Sequence, residues 1–316
     1  MPVKPKPDYD LLVVTGTTAS GKTSLAVAVA ARIGGEIISA DSRQVYRGMN
    51  LGTGKDYSEY NLNGKSIPCH LIDIADPGYK YNVFEYQRDF GIIYDDLKKR
   101  DVFPVVCGGS GMYVDSIVTG YRMYEVPPDS LLRKRLEKKT IEELIGILST
   151  YKNLHNSTDI DTKKRVIRAI EIEQFTRNKS EKKTQIPDLN LLITGILFDR
   201  ETRRKRITER LKKRLDEGMV DEVKKLLDEG VRKEVLIYYG LEYKYITLYL
   251  TGKLGYREMV KNLEVAIHQF AKRQMTWFRG MERKGIQIHW IDGELPLDEK
   301  VEKVLELLTS NTFPAS

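Results

Sequence analysis

The sequence predicts an α/β protein built on a parallel sheet, and three observations carry this prediction. Short apolar runs rich in β-branched residues recur along the chain, helical segments separate them, and polar or Gly-rich segments follow them. A length of 316 residues and an apolar content of 41% suffice for one substantial core and a smaller second domain.

The first third of the chain alternates strand and helix. Strands are predicted at 11–15, 36–41 and 102–109, with helices at 24–33 and about 84–99. Each strand runs into a polar or Gly-rich segment. Because ligands bind beyond the carboxyl ends of parallel strands, we expect the functional residues at that edge of the sheet.

The middle of the chain is charged and rich in Lys and Glu, without a strand pattern, and we interpret 124–189 as a small helical insertion. Residues 1–123 and 190–316 would then form the core with its C-terminal helices. A strand at 191–199 resumes the sheet, and helices continue to about 283 before a last strand and a final helix. One long helix is predicted from apolar residues at every fourth position, namely Ile207, Leu211, Leu215 and Met219.

Charge and cysteine content limit the classes of protein to which this chain could belong. The net charge of +7 favours an anionic partner without identifying it. Cys69 and Cys107 have no metal-type spacing, and the first apolar stretch is too short for a signal peptide or a membrane span. We therefore expect a cytoplasmic protein with no membrane partner, and a monomer because the helices lack a sustained heptad pattern.

The segment GTTASGKT matches the pattern G-x-x-x-x-G-K-[ST] between a predicted strand and a predicted helix. Backbone amides of such a loop bind phosphate oxygens, Lys22 neutralises their charge, and Thr23 is a ligand for Mg²⁺. Adjacent phosphates of ATP, GTP or a pyrophosphate group would fit equally well. The predicted phosphate-binding residues are Gly16, Thr17, Thr18, Ala19, Ser20, Gly21, Lys22 and Thr23.

Two further strand ends carry candidate residues. An NTP hydrolase normally has an acidic Mg²⁺ partner at a strand end, whereas VFPVVCGGSG ends in glycines and Ser110, which favours small-molecule kinases and transferases that release pyrophosphate. Asp41 could hold Mg²⁺, accept a proton, or merely cap a helix. Ser110 is either a turn residue or a hydroxyl that donates to a phosphate oxygen.

The excess positive charge lies in clusters at 133–139, 163–168, 203–214 and 272–284. Such clusters are usually solvated helix faces. The last one also contains Trp277 and Phe278, a combination suited to phosphate contacts and base stacking. The pattern therefore predicts a nucleic acid as partner and leaves RNA and DNA equally open.

Several segments, taken in order, resemble one enzyme family over about residues 12–292. They are TASGKTSLA, EIISADSRQVYRGMNLGTGK, HLIDIADP, YQRDF, VVCGGSGMYV, KRVIRAIEI, RITERLKKRLDEGMVDEV and AKRQMTWFRG. The chain is similar to the tRNA dimethylallyltransferase (isopentenyltransferase) family. This resemblance implies a P-loop NTPase-like sheet core flanked by helices, with Mg²⁺ as cofactor. It also implies transfer of a dimethylallyl group from dimethylallyl pyrophosphate to the adenosine beside the anticodon.

The resemblance also implies roles for individual residues. Asp41 would be the general base toward the exocyclic amine, and Lys22 with Arg206 or Arg210 would hold the leaving pyrophosphate. Ser110 stands where many members have threonine and keeps the hydroxyl. The implied contacts to the tRNA anticodon stem-loop are Asp41, Ser42, Arg43, Gln44, Arg133, Lys164, Arg165, Arg168, Lys272, Arg273, Gln274, Trp277 and Arg279.

Some positions depart from the family pattern. Thr17 stands where proline is common, YYGLEY replaces a more basic stretch, and the segment around 151–161 lacks the usual DPxxA pattern. Two alternative functions therefore remain open from the sequence. A P-loop kinase for a nucleotide or metabolite would share the loop and the fold, and a non-catalytic RNA-binding module would keep only a vestigial loop.

Overall fold

The structure is a computed structural model that describes residues 9–62, 64–121, 123–153, 160–177 and 188–309. Parts of the predicted insertion, at 154–159 and 178–187, lie outside the described residues, and so does most of the segment expected to carry DPxxA.

The described residues form a six-stranded parallel sheet in the order β5-β2-β6-β1-β7-β8, and a short antiparallel hairpin of β3 and β4. The strands are β1 Leu11–Gly16, β2 Glu36–Ser39, β3 Asn61–Leu62, β4 Lys65–Ser66, β5 Cys69–His70, β6 Pro104–Cys107, β7 Leu191–Leu197 and β8 His289–Asp292. Because β1 lies at the centre, the loop that follows it opens between the ends of β6 and β7.

Helices connect and cover these strands. They are α1 Lys22–Ile33, α2 Val83–Lys99, α3 Gly111–Val118, α4 Ser130–Leu136, α5 Ile141–Ser149, α6 Lys163–Arg177, α7 Arg200–Asp216, α8 Met219–Asp228, α9 Lys233–Tyr238, α10 Leu241–Leu250, α11 Tyr256–Arg283 and α12 Leu297–Thr309. Asn82 and Glu85 form a capping box at the start of α2, which fixes where that helix begins.

The central strand is buried on both faces, which explains its unbroken apolar run. Leu12 and Val14 pack with α1 and α12, whereas Leu11 and Val13 pack on the other face with α2, α3 and α11. A separate apolar cluster joins α7, α8, α10 and α11. The α/β fold with a parallel sheet and flanking helices, predicted from the sequence, is confirmed.

The prediction of one long helix through Met219 is wrong. The structure ends α7 at Asp216 and begins α8 at Met219, with Gly218 between them at φ +95°. Glycine adopts this left-handed conformation without a steric penalty, so the chain turns there and starts a new helix. The four-residue recurrence continues across the break because α7 and α8 bury their apolar faces in the same cluster.

Residue contacts divide the chain into two compact units, one of residues 1–120 with 186–316 and one of residues 121–185. The described part of the smaller unit consists of α4, α5 and α6, whose apolar side chains form a cluster of their own around Leu144, Leu148 and Ile170. The sequence placed the insertion at 124–189, and its contact with tRNA stays a prediction.

Among the described residues, no helix is both long and apolar enough to cross a membrane. Burial raises the pKa of Cys69 and of Cys107 to about 12. Both thiols are therefore protonated near neutral pH, and the protonated form is unreactive.

Candidate active site

The segment from Gly16 to Thr23 forms the predicted loop between β1 and α1. Gly16 has φ +149°, and a Cβ there would lie 2.8 Å from Ser20 Oγ. Gly21 precedes α1 in the left-handed conformation at φ +81° without a capping side chain. The first amides of α1 therefore have no side-chain cap and, with the positive end of the helix dipole, suit an anionic ligand.

Lys22 is the first residue of α1 and directly follows Gly21 of this loop. Burial lowers its pKa, and Arg210 lowers it further, while the negative fields of Asp41 and Glu59 oppose that shift. A desolvated ammonium gains strongly from an anionic ligand, because little water screens the interaction. Lys22 therefore lies where a phosphate group bound in this loop would be expected, and its binding role stays a prediction.

The ends of β2 and β6 bring Asp41 and Ser110 together. Ser110 Oγ accepts a hydrogen bond from the Ser42 backbone amide at 2.9 Å and donates to Ser42 Oγ at 3.2 Å. One oxygen of Asp41, Oδ1, accepts from the Arg43 amide at 2.9 Å. Asp41 therefore closes a local turn rather than capping a helix, with one face of its carboxylate fixed.

Three arginines lie at four-residue spacing on α7, on the face turned to the loop. Arg206 donates its Nε to the carbonyl of Ala19 at 3.0 Å and stacks on the Phe198 ring at 4.5 Å. One of its terminal nitrogens lies 4.0 Å from the position of a Cβ at Gly21. Arg206 is thus docked on the phosphate loop itself.

Arg210 and Arg214 share the carboxylate of Asp56. The distances to Asp56 Oδ2 are 2.9 Å from Arg210 and 3.2 Å from Arg214. Burial, and secondarily Arg210, lowers the pKa of Arg214, while Asp56 opposes that shift. The Asp56 carboxylate therefore balances two adjacent cations and fixes where they point.

Sequence reasoning missed Asp56, although it directly follows LGTGK in a segment that carries the family resemblance. Its loop is held by Glu222, which accepts from the amides of Asn50, Leu51 and Gly52 at 2.9, 2.7 and 3.1 Å. Such long-range acceptors leave no periodic signal in a sequence. One hint in the sequence was that Asp56 is an acidic residue directly after a family motif, in a chain with an excess of positive charge.

The oxygen groups at the loop suit Mg²⁺ that is bound together with phosphate oxygens. In the part of the chain that the structure describes, the buried Ser20 Oγ has no hydrogen-bond partner, and Thr23 stands in the first turn of α1. Within the described ranges, no group of three or more His, Cys, Asp or Glu residues could hold a metal ion. Mg²⁺ usually keeps few protein ligands and takes the rest from phosphates and water, so these residues fit it.

The ADSRQ segment contains the other residues predicted to contact tRNA on the core. Arg43 lies 5.8 Å from the ring centre of Tyr238, which is 55% exposed. Gln44 accepts from Ser39 Oγ and donates to the Gly54 carbonyl at 3.1 Å, which joins β2 to the loop of Asp56. The YYGLEY segment thus offers an exposed aromatic ring beside a predicted RNA-binding arginine.

On α11 the structure separates the predicted RNA contacts into two faces. Lys272, Arg273 and Arg279 are exposed. Gln274 is only 7% exposed, and its amide is bound by the protein backbone, so this side chain lies on the buried face and its contact with RNA stays a prediction. Trp277 is half-buried and packs on Gly111, so only part of its ring is open to solvent.

In the smaller unit, two predicted RNA-binding arginines hold the same buried acid. Arg133 donates to both oxygens of Glu171 at 2.9 and 2.7 Å, and Arg168 also binds Glu171. Lys164 is exposed, and Arg165 pairs with Asp161 at 2.9 Å. The ion pairs position both guanidinium groups, and their contact with tRNA stays a prediction.

Comparison with known proteins decides between the remaining classes. A family model described as "IPP transferase" matches residues 44–281, and a second, "Isopentenyl transferase", matches residues 9–66. A protein from Bacteroides fragilis named "tRNA dimethylallyltransferase 2" is 61% identical over 302 residues, which cover 96% of this chain and 99% of that protein. The chain belongs to the IPP transferase family.

Solved structures agree with this assignment. The full-length tRNA isopentenylpyrophosphate transferase from Bacillus halodurans has a TM-score of 0.70 at 30% identity, covering 95% of this chain and 96% of that one. A eukaryotic dimethylallyltransferase acting on tRNA has a TM-score of 0.78 at 20% identity, covering 97% and 81%, and shares the fold. For this IPP transferase, the family assignment therefore excludes the two alternative interpretations, a P-loop kinase and a non-catalytic RNA-binding module.

Proposed function

We propose that this chain transfers the dimethylallyl group of dimethylallyl pyrophosphate to the exocyclic amine of the adenosine on the 3′ side of the tRNA anticodon. The products are isopentenyladenosine in the tRNA and free pyrophosphate. The observation that carries the proposal is the convergence of a phosphate loop, Asp41 and Ser110 at three neighbouring strand ends in a chain of this family.

The reaction forms a bond between the amine nitrogen and the allylic carbon while the carbon–oxygen bond to pyrophosphate breaks. Asp41 accepts the proton that the amine loses, through the carboxylate oxygen that the Arg43 amide does not hold. Lys22 and the amides at the start of α1 stabilise the negative charge that develops on the leaving pyrophosphate. The electron pair of the broken bond stays on pyrophosphate, so no NTP is consumed.

Arg206 is the better candidate of the two arginines to bind the leaving group directly. It is docked on the loop through Ala19, whereas Arg210 is engaged by Asp56. Thr23, with Ser20 nearby, would hold Mg²⁺, which when bound supplies further neutralisation of pyrophosphate charge. The Ser110 hydroxyl is held by Ser42 and would rotate to donate to a phosphate oxygen.

The RNA contacts would come from exposed basic and aromatic groups. Taking one base out of a stacked loop costs a few kcal/mol by the general rule for base flipping, which these contacts must offset. Arg43 with Tyr238 suits base stacking, and Lys272, Arg273 and Arg279 suit phosphate contacts. In the smaller unit, Lys164 and Arg165 are candidates of the same kind.

The deciding experiment is a reaction of the purified protein with Mg²⁺, dimethylallyl pyrophosphate and unmodified tRNA, followed by mass spectrometry of the digested nucleosides. We expect dimethylallyl-adenosine with the wild type and loss of at least about 100-fold in rate with Asp41→Ala or Lys22→Ala, the scale of general-base and charge-stabilising groups. Omission of Mg²⁺ should lower the rate as well.

The matched control is Asp76→Ala, which removes an exposed carboxylate paired with Arg47 outside the candidate site. It should react at the wild-type rate. An Asp41→Ala enzyme as fast as the wild type would rule out the proposed base. Consumption of ATP with a small-molecule acceptor, and no modified nucleoside, would instead support the kinase alternative.

We further propose that the enzyme acts as a monomer in the cytoplasm. The candidate catalytic groups Lys22, Asp41, Ser110 and Arg206 all lie in one compact unit. Light scattering at assay concentration, with and without tRNA, should give a protein mass near 36.3 kDa.

A further inference from the structure

Gln274 connects two backbone segments that are far apart in the sequence. Its Oε1 accepts from the Thr18 amide of the phosphate loop at 2.9 Å, and its Nε2 donates to the Gly109 carbonyl at 2.8 Å. The two partners fix the orientation of the amide, since a backbone N–H requires the oxygen and a carbonyl requires the NH₂ group. An isosteric side chain without this amide would lose both bonds.

The second of these segments is the turn of Gly108, Gly109 and Ser110 after β6. A Cβ at Gly109 would lie 2.6 Å from Gln274 Nε2 and 2.9 Å from the Gly16 carbonyl, so the two loops and Gln274 are in close contact. A Cβ at Gly111 would collide with the ring of Trp277, one helical turn beyond Gln274. Helix α11 thus holds this turn at two consecutive points.

The same turn also positions the candidate base. Ser110 donates its backbone amide to the Ala40 carbonyl at 3.2 Å and accepts from Ser42 through Oγ at 2.9 Å, on both sides of Asp41 in the chain. A displacement of α11 would therefore be transmitted through Gln274 to the phosphate loop and to the segment of Asp41. Segments packed this closely move together, because a close-packed interior leaves no empty space between them.

The opposite face of this part of α11 presents Lys272, Arg273 and Arg279 to solvent. These are the cations expected to contact tRNA phosphates in the proposed function. One helical segment therefore carries both the exposed RNA-binding charges and the buried amide that holds the phosphate loop.

We propose that Gln274 is a positioning residue that couples tRNA binding to pyrophosphate binding. Seating tRNA on the exposed face of α11 orders the phosphate loop and the turn of Ser110, and each substrate raises the affinity of the enzyme for the other. The inference rests on the proposed function, because it takes tRNA as the ligand of the exposed face. Linkage requires the effect to be reciprocal.

The test is calorimetric binding of inorganic pyrophosphate with Mg²⁺ to the full chain, with and without an unmodified anticodon stem-loop RNA. We expect the RNA to raise the pyrophosphate affinity of the wild type by about 5-fold or more, the usual lower range of site coupling. In Gln274→Met this factor should fall to about 1, while RNA affinity without pyrophosphate stays within about threefold of the wild type, because the exposed cations remain.

The matched control is Gln87→Met on α2. Gln87 is 1% exposed and its amide also donates to a buried carbonyl, that of Ser116 at 2.9 Å, but it lies outside the phosphate loop. Gln87→Met should keep the wild-type factor by which RNA raises pyrophosphate affinity. If Gln274 had a merely structural role, that factor would be unchanged in both variants. Thermal unfolding identifies folded protein, and Gln274→Asn, whose shorter amide cannot reach both partners, replaces Gln274→Met if that variant does not fold.

Two results would overturn the inference. In the first, the Gln274 variant keeps the wild-type factor. In the second, the wild type binds RNA and pyrophosphate independently and still modifies tRNA, so that the coupling fails while the proposed function stands. Failure of the proposed function is recognised separately, by the absence of dimethylallyl-adenosine in the wild-type reaction.

Discussion

Asp56 shows how a single carboxylate organises the arginines of the candidate site. It lies at the end of a loop that Glu222 fixes through three backbone amides, and it meets Arg210 and Arg214 on α7. Side-chain exposure falls from 31% at Arg210 to 10% at Arg214, so the second cation depends more on its partner. The arrangement keeps positive charge beside Lys22 without leaving it uncompensated.

Asp56→Ala should therefore raise KM for dimethylallyl pyrophosphate by about tenfold, the equivalent of roughly 1.4 kcal/mol, with little change in KM for tRNA. The free energy of unfolding should fall by roughly 1–3 kcal/mol, the usual cost of leaving a buried hydrogen-bonding group unsatisfied, because Arg214 loses its Asp56 partner. Steady-state kinetics and urea unfolding measure the two effects. Asp76→Ala, at an exposed ion pair, should change neither, and an unchanged KM in Asp56→Ala would contradict the anchoring role.

Another carboxylate links β2 and β5 to the end of α2. Glu36 at the start of β2 pairs with Arg100 beyond α2 at 2.7 Å and with His70 of β5 at 2.7 Å. The hydrogen bond from Arg100 is the main cause that lowers the pKa of Glu36 to about 2, and His70 contributes in the same direction. This ion pair stabilises the packing of one helix against two neighbouring strands.

The sign of the pH effect follows from the lowered pKa. The stabilisation is fully present above about pH 4.5 and is lost as the pH falls through about 2, because the unfolded chain takes up the proton first. Glu36→Gln should lower the free energy of unfolding at pH 7 by about 1–3 kcal/mol and flatten its decline in acid. Denaturant unfolding from pH 7 to pH 3 measures this.

The control for Glu36→Gln is Glu302→Gln, since the pair of Glu302 with Arg32 is 55% exposed on both sides. Exposed pairs contribute little, so that variant should unfold like the wild type. If Glu36→Gln has the same pH dependence as the wild type, the ion pair with Arg100 does not stabilise the fold.

At the scale of the whole molecule, the net charge of +7 is distributed unevenly. Some surface lysines are paired, as Lys225 of α8 is with Glu229 just after that helix at 3.7 Å, whereas Lys272 and Arg273 on α11 are exposed beside the candidate site. Polyanion binding releases counterions in proportion to the phosphates contacted, so the salt dependence of binding reports which cations take part.

The logarithm of the tRNA association constant should fall linearly with the logarithm of salt concentration. Lys272→Gln and Arg273→Gln should each reduce that slope by about 1, and Lys225→Gln should leave it unchanged. Fluorescence anisotropy between low and moderate salt measures the slopes. Equal slopes for all three variants would place the RNA away from this face of α11.

The sequence by itself determined the fold class, the phosphate loop, the family and the candidate residues at the strand ends, because these depend on local pattern. Alternating apolar runs fix the sheet, and glycine and lysine spacing fixes the loop. Only the tertiary structure decided which distant parts of the chain contact these residues. Asp56 meets α7, Gln274 turns inward, and Gly218 divides a predicted long helix. Contacts between residues more than 150 positions apart, as at Asp56 and Arg210, leave no periodicity in a single sequence, so packing alone specifies them.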